Sequence, residues 1–356
     1  MTMASESPSK PRLRIAVVGA GLIGQAHLRV LAANPHAHIS AIVDPSPAAA
    51  ALANTLSAPW YENLDVLLAT DRPDAIVLAT PNQLHVAQTL QCLAAGLCVL
   101  LEKPVATTVT EGQTLLDAVQ ASAAKVLVGH HRAHSPIMAK ARQVLASGQL
   151  GKLVTIQGSA TFYKPEQYYR DGPWRAQAGG GPILINMIHE VHNLRMLCGE
   201  IIAVQALASN ATRGFAVEDT AAINLRFESG VLGTFILSDT AASARSWEQT
   251  AQENKAYASY EDEDCYTISG TNGSLSVPTM RLKTYPTAAD RSWWKPFQQR
   301  VVDMGREDPL ALQMAHFIDI IQGLAEPLVN VHDGLQNLRV TEAISQAVLS
   351  GDTVFI

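Results

Sequence analysis

No stretch of apolar residues approaches the ~18 that a membrane span needs, and no dense block of lysine and arginine marks a surface for polyanions. Membrane and nucleic-acid partners are therefore not expected. Cysteine is sparse: Cys92, Cys98, Cys198 and Cys265 are scattered and show none of the close pairing that metal or redox motifs use. They read as buried, reduced thiols. The segment Met1 to Pro11 is polar, rich in Ser and Pro, and lacks the apolar run of a secretory signal. Residues 1–12 thus read as a flexible tail, with the cytoplasm as the default compartment. There is no internal repeat.

What the sequence has is apolar mass. With 47% hydrophobic and 16% charged residues, a net charge of −6 and 356 residues in all, it suits two well-buried domains better than one. From Arg14 onward, short apolar β-branched runs alternate with helix-length amphipathic segments, the pattern of a parallel sheet with crossover helices. Strands are expected at Arg14 to Val18, Ile39 to Val43, Asp74 to Ala79, Cys98 to Leu101 and Lys125 to Val128. After Gly129 the pattern changes to a helix, Pro136 to Ser147, and then long alternating strands: Leu153 to Phe162, Ile201 to Ala211, Thr220 to Phe227 and Val231 to Leu237. Thr271-Asn272-Gly273 adds a hairpin signal. An apolar helix, Pro182 to Leu197, interrupts these strands, and two helices, Pro309 to Gln322 and Asp333 to Leu349, close the chain.

Val17-Val18-Gly19-Ala20-Gly21-Leu22-Ile23-Gly24 is a G-x-G-x-x-G turn directly after a strand and directly before a helix. Such a turn lets a pyrophosphate rest on the helix N-terminus, among the backbone N–H groups around Gly19, Gly21, Leu22, Ile23 and Gly24. Asp44 ends the next strand, where a carboxylate accepts hydrogen bonds from an adenosine ribose diol. A 2′-phosphate would be repelled there, and no Arg or Lys follows in Pro45-Ser46-Pro47, so NAD is expected over NADP. The fold expected is an α/β Rossmann domain with a parallel doubly wound sheet at residues 13–129. An α+β domain with a largely antiparallel open sheet follows at residues 130–356, with closing helices able to pack back on the first domain.

These motifs, with Thr80-Pro81-Asn82-Gln83-Leu84-His85, Glu102-Lys103-Pro104, Gly129-His130-His131-Arg132 and Gly179-Gly180-Gly181 before a helix carrying His189, give the chain its resemblance to a known family. It resembles the glucose–fructose oxidoreductase, inositol dehydrogenase and rhizopine-catabolism (Gfo/Idh/MocA) oxidoreductases over nearly its whole length. The resemblance implies that Lys103 lies beside the nicotinamide and the substrate hydroxyl, with its pKa lowered for proton transfer. Glu102 would hold the cofactor ribose, Pro104 would follow a cis bond, and Thr80, Pro81 and Asn82 would line the nicotinamide ribose. A plain Lys103–Glu102 surface ion pair is the alternative. His85 is a cofactor candidate or a helix cap.

His189 is implied as the acid/base for the hydroxyl that loses its hydride, against the alternative of a satisfied core histidine. Asn186, His189 and Asn193 are expected on one helix face. Relatives of the inositol dehydrogenase type carry acids where this chain has Ile185 and His192. Arg132, Arg170, Trp174 and Arg175 come from segments placed around the substrate, and their arginines suit a carboxylate. The expected substrate is therefore a cyclic polyol or sugar-like secondary alcohol, or alternatively an aromatic-carboxylate cis-dihydrodiol. An NAD-assisted glycosidase with no net redox change and a cofactor-sensing protein are further alternatives. No Cys, Asp or Glu lies near His130, His131 and His134 in the sequence to complete a metal-ligand set, so no metal is expected. A homodimer or homotetramer is implied by the resemblance alone.

Overall fold

The computed structural model describes residues 11–356, so most of the expected tail lies outside the described residues. The chain divides into two compact units: one takes the sequence up to Gly129 together with Leu310–Leu335, the other takes His130–Pro309 and Gln336–Ile356. Among the described residues no helix is long and apolar enough to cross a membrane.

The first unit holds a six-stranded parallel sheet of β1 (Leu13–Val18), β2 (Ala37–Val43), β3 (Trp60–Tyr61), β4 (Ala75–Leu78), β5 (Cys98–Leu101) and β6 (Val126–Val128), in the order β3-β2-β1-β4-β5-β6. β1 and β4 are apolar without alternation because both faces are covered. The chain leaves β1 for β2 on one side and crosses to β4 on the other, so the carboxyl ends of β1 and β4 flank the point where strand order reverses. Ser46, Asn63 and Thr108 cap three of the connecting helices through their side chains. The helix Pro309–Ile321 sends Met314, Phe317 and Ile318 into the core of this unit.

The second unit is built on a nine-stranded sheet. Its strands are β7 (Leu153–Thr161), β8 (Ile201–Ser209), β9 (Thr220–Phe227), β10 (Leu232–Ser238), β11 (Tyr266–Gly270), β12 (Gly273–Val277), β13 (Arg281–Thr284), β14 (Gln298–Val301) and β15 (Val354–Phe355), ordered β14-β13-β12-β11-β7-β10-β9-β8-β15. The pairing is antiparallel except between β7 and β10. Burial alternates along β9 and β10, with Leu225 and Phe235 inside and Leu232 and Ile236 facing out. One face of the sheet thus meets the helices Pro136–Ala146 and Ile188–Cys198 and residues Val340, Ala343, Ile344 and Ala347, while the other is open.

Gly158 of β7 sits beside Phe235 of β10, and a Cβ there would lie 2.4 Å from the Phe235 ring. The aromatic fills the space that a side chain on Gly158 would take. Gly158→Val is expected to destabilise this unit by about 1–3 kcal/mol through overpacking, read as a lowered urea midpoint with an unchanged slope.

Candidate functional site

In the first unit the three glycines of the turn do different work. Gly19 has a φ of +93°, and a Cβ on it would lie 2.5 Å from the Ala79 carbonyl; a Cβ on Gly24 would lie 1.9 Å from the Gly19 carbonyl. Both positions are closed to any side chain. At Gly21 a Cβ would meet nothing within 4 Å. No side chain caps the Leu22–Ala32 helix, whose N-cap is Gly21, and Leu22 is 80% exposed. An open cradle therefore stands over an uncapped helix N-terminus, a place whose donors and dipole fit a pyrophosphate.

Asp44 braces this turn: its Oδ2 accepts the Ala20 N–H at 2.9 Å and its Oδ1 accepts the Ser46 N–H at 2.9 Å. Burial raises its carboxyl, but these donated bonds outweigh burial and leave it below the usual carboxylate range. The group is therefore ionised and partly accessible at the end of β2, as a ribose diol would require.

The Thr80 loop follows β4, with Thr80 Oγ1 donating to Gln88 at 2.7 Å, and the half-buried Asn82 opens the short turn Asn82–Leu84. His85 is turned into the protein. It is 1% exposed, with Nδ1 2.7 Å from the Pro104 carbonyl and Nε2 2.9 Å from the Thr80 carbonyl, and burial lowers its pKa. The expected cofactor contact is corrected to a staple between the Thr80 loop and the Glu102-Lys103-Pro104 loop. Glu102 is likewise turned inward: it is buried, its Oε1 lies 2.8 Å from the ring of the fully buried His27, and a Cβ on Gly129 would strike its carboxylate at 2.8 Å. In place of the expected ribose contact, the structure shows a carboxylate that ties β5 and β6 to the Leu22 helix. The Lys103–Pro104 bond is cis, and Lys103 is half-buried at the end of β5.

In the second unit, His189 lies one residue into the Ile188–Cys198 helix, just after the π-helical turn Ile183–Met187. Such turns insert an extra residue per bond and recur at functional positions. The expected face of Asn186, His189 and Asn193 does not form. Asn193 is fully buried and donates to the Tyr266 hydroxyl at 2.9 Å, while Asn186 Oδ1 accepts from Lys164 Nζ at 2.6 Å. His189 instead has His130 at 5.9 Å and His131 at 5.6 Å between ring centroids, both edge-on.

Arg132 requires the largest correction. Its side chain is 4% exposed; Nη1 donates to Glu190 at 2.6 Å, Nη2 donates to Glu248, and the guanidinium lies 5.8 Å from the Trp247 ring centroid. Tyr266 donates its hydroxyl to the other oxygen of Glu190. Burial raises the Glu190 carboxyl even against Arg132, and the two carboxylates hold the Arg132 pKa above its usual value. Arg132 belongs to the interior, because both of its terminal nitrogens are already engaged by carboxylates there. Arg175 is half-buried, with its guanidinium 4.0 Å from the Tyr168 ring centroid and 5.7 Å from that of the exposed Trp174. Arg170 is exposed.

Sequence reasoning missed Lys164. It lies three residues past the end of β7, 3.8 Å from Asp239 and 4.6 Å from the Tyr168 ring centroid, and its contact with Asn186 marks it as part of this polar group. Among the described residues no three His, Cys, Asp or Glu side chains are grouped to hold a metal ion.

Residues 13–130 match the oxidoreductase family with an NAD-binding Rossmann fold named GFO/IDH/MocA, and residues 138–276 match the GFO/IDH/MocA C-terminal domain. The chain belongs to the GFO/IDH/MocA family. It is an NAD-dependent oxidoreductase of that family, and its turn, Asp44 and sheet topology are the structural counterpart of the match. The inositol 2-dehydrogenase of Rhizobium meliloti (strain 1021) is 24% identical, covering 94% of this chain and 97% of its own. The 1,5-anhydro-D-fructose reductase of Ensifer adhaerens is 26% identical, covering 83% of both chains. Among solved structures, the WlbA dehydrogenase of Bordetella pertussis in complex with NADH and UDP-GlcNAcA superposes with a TM-score of 0.78 at 24% identity, covering 97% of this chain and 99% of that one.

Because Arg132 balances the buried Glu190 and the half-buried Glu248, Arg132→Met is expected to cost about 3–5 kcal/mol of stability by leaving charge uncompensated in the interior. Denaturant unfolding measures this. A substrate-clamping arginine would instead leave stability intact and raise KM.

Proposed function

We propose that this GFO/IDH/MocA protein oxidises a secondary alcohol of a cyclic polyol or sugar-like substrate, or reduces the corresponding ketone, with NAD. The observation that carries the substrate class is the pairing of Lys164 with Asn186, which lies on the π turn that precedes the helix of His189 in the chain. These are neutral and cationic donors and acceptors of the kind that hydroxyls engage. The inositol dehydrogenase and anhydrofructose reductase relatives support the same class. The aromatic-carboxylate reading loses its strongest residue, since Arg132 is already paired with Glu190 and Glu248.

In this reading the turn from Gly19 to Gly24 holds the pyrophosphate of NAD, Asp44 accepts from the adenosine ribose, and Thr80, Pro81 and Asn82 lie along the nicotinamide ribose. When bound, NAD supplies the acceptor for the hydride. Lys103 holds the oxygen of the reacting alcohol, and His189 takes its proton, a task suited to an imidazole that is neutral near pH 7. In reduction the same groups return the proton.

Lys103→Ala and His189→Ala are each expected to lower kcat by at least about 100-fold, read as NADH absorbance against a panel of cyclitols and aldoses. Either variant turning over within about threefold of the wild-type rate would overturn its assigned role. Net formation of NADH separates this activity from glycosidic cleavage without redox change. Asp44→Asn is expected to lower kcat/KM with NAD by about tenfold while NADP changes less, because a charge-assisted bond to the ribose diol is lost. Paired assays with the two cofactors measure the ratio.

A further inference from the structure

His130, edge-on to His189, belongs to a second polar chain of the same unit. Arg195 is buried and grips Glu200 with two donors, Nε at 2.9 Å and Nη2 at 2.7 Å, while its Nη1 donates to Asn337 Oδ1 at 2.6 Å. A guanidinium only donates, so the oxygen of the Asn337 amide has to be the atom facing it. The amide nitrogen is thereby turned the other way, 3.1 Å from His130 Nε2 and 3.0 Å from His192 Nδ1. An amide NH₂ also only donates. Each ring nitrogen that faces it must accept, and an imidazolium has no accepting nitrogen.

We propose that Asn337, oriented by the Glu200–Arg195 pair, is a positioning residue that holds His130 and His192 as fixed neutral tautomers beside His189. His130 then carries its hydrogen on Nδ1 and His192 on Nε2. The two rings stack at 4.6 Å with an interplanar angle of 20°, and His130 is edge-on to His189. This rests on His189 being the proton acceptor. Its neighbours then neither share its proton nor raise a positive charge against it.

For His192, burial first, then the charges of Arg195, His134 and Arg142, lower the pKa to about 3, against the Asn337 hydrogen bond, which raises it. His130 has the rings of His189 and His192 and the Asn337 amide against it, and His189 has His131 as a further ring neighbour. Asn337 and Asn193 are both fully buried, but Asn193 serves Tyr266 and does not touch this chain.

The test uses the full-length protein labelled with ¹⁵N-histidine and two-bond ¹H–¹⁵N correlation spectra, with His130→Gln and His192→Gln for assignment. Between about pH 5.5 and 8.5, His130 is expected as the Nδ1–H form and His192 as the Nε2–H form, neither titrating. Titration of either ring in that range, or the opposite tautomer, overturns the proposal, whatever the enzyme turns over. In Asn337→Asp an acceptor replaces the donor, so the facing nitrogens are expected to gain hydrogens. The acid limb of the kcat profile then moves by about one pH unit, with kcat about tenfold lower near neutrality. A folded Asn337→Asp enzyme with the wild-type profile overturns the positioning role. Loss of the Lys103 and His189 assignments with the tautomers intact would instead fault the catalytic reading.

Discussion

The second unit is organised around one buried cation. Arg132 is surrounded by Glu190, Glu248 and the Trp247 ring, and Glu190 is held from its other side by Tyr266. Desolvating a guanidinium and two carboxylates costs several kcal/mol per ion, which geometry of this quality has to offset. The arrangement is therefore intolerant of displacement. It joins the Arg132 turn, the Trp247–Ala251 helix, β11 and the Ile188–Cys198 helix at one point. Because Glu190 directly follows His189, fixing the one side chain inward sets the direction of the other.

Helical spacing then explains which residues meet. Glu190 and Asn193 are three apart and both reach Tyr266; His189 and His192 are three apart and both lie against His130. Two polar faces exist on this helix where the sequence suggested one. The π turn before it separates Asn186 from both faces and delivers it to Lys164. In the first unit a comparable division holds: Gly19 and Gly24 are closed by packing, whereas Gly21 is open. His85, Glu102 and His27 secure the loops from behind.

The strand and helix pattern was legible because it depends on local periodicity. β5 and β9 match the expected bounds, and β1, β7, β10 and both closing helices agree to within a few residues. β3, two residues at the sheet edge, is too short to carry a period. The parallel pairing of β7 with β10 joins strands far apart in sequence, which no local pattern records. The same limit governs the site. Gly19, Gly21, Gly24 and Asp44 form a local motif whose chemistry could be read directly. Arg132 looked like a substrate residue because arginines are seldom buried, and its two carboxylates come from 58 and 116 residues away. Asn337 lay outside every motif, since its partners His130 and His192 are 207 and 145 residues distant.

The replacement of two expected acids by Ile185 and His192 can now be given a physical sense. In the proposed reaction, a carboxylate beside His189 would stabilise the imidazolium and hold the proton more tightly. In this chain the neighbouring position is a histidine whose Nδ1 accepts from Asn337 and whose burial keeps it neutral. Orientation is retained while the charge is removed. Arg195, the cation acting on His192, is itself compensated by Glu200.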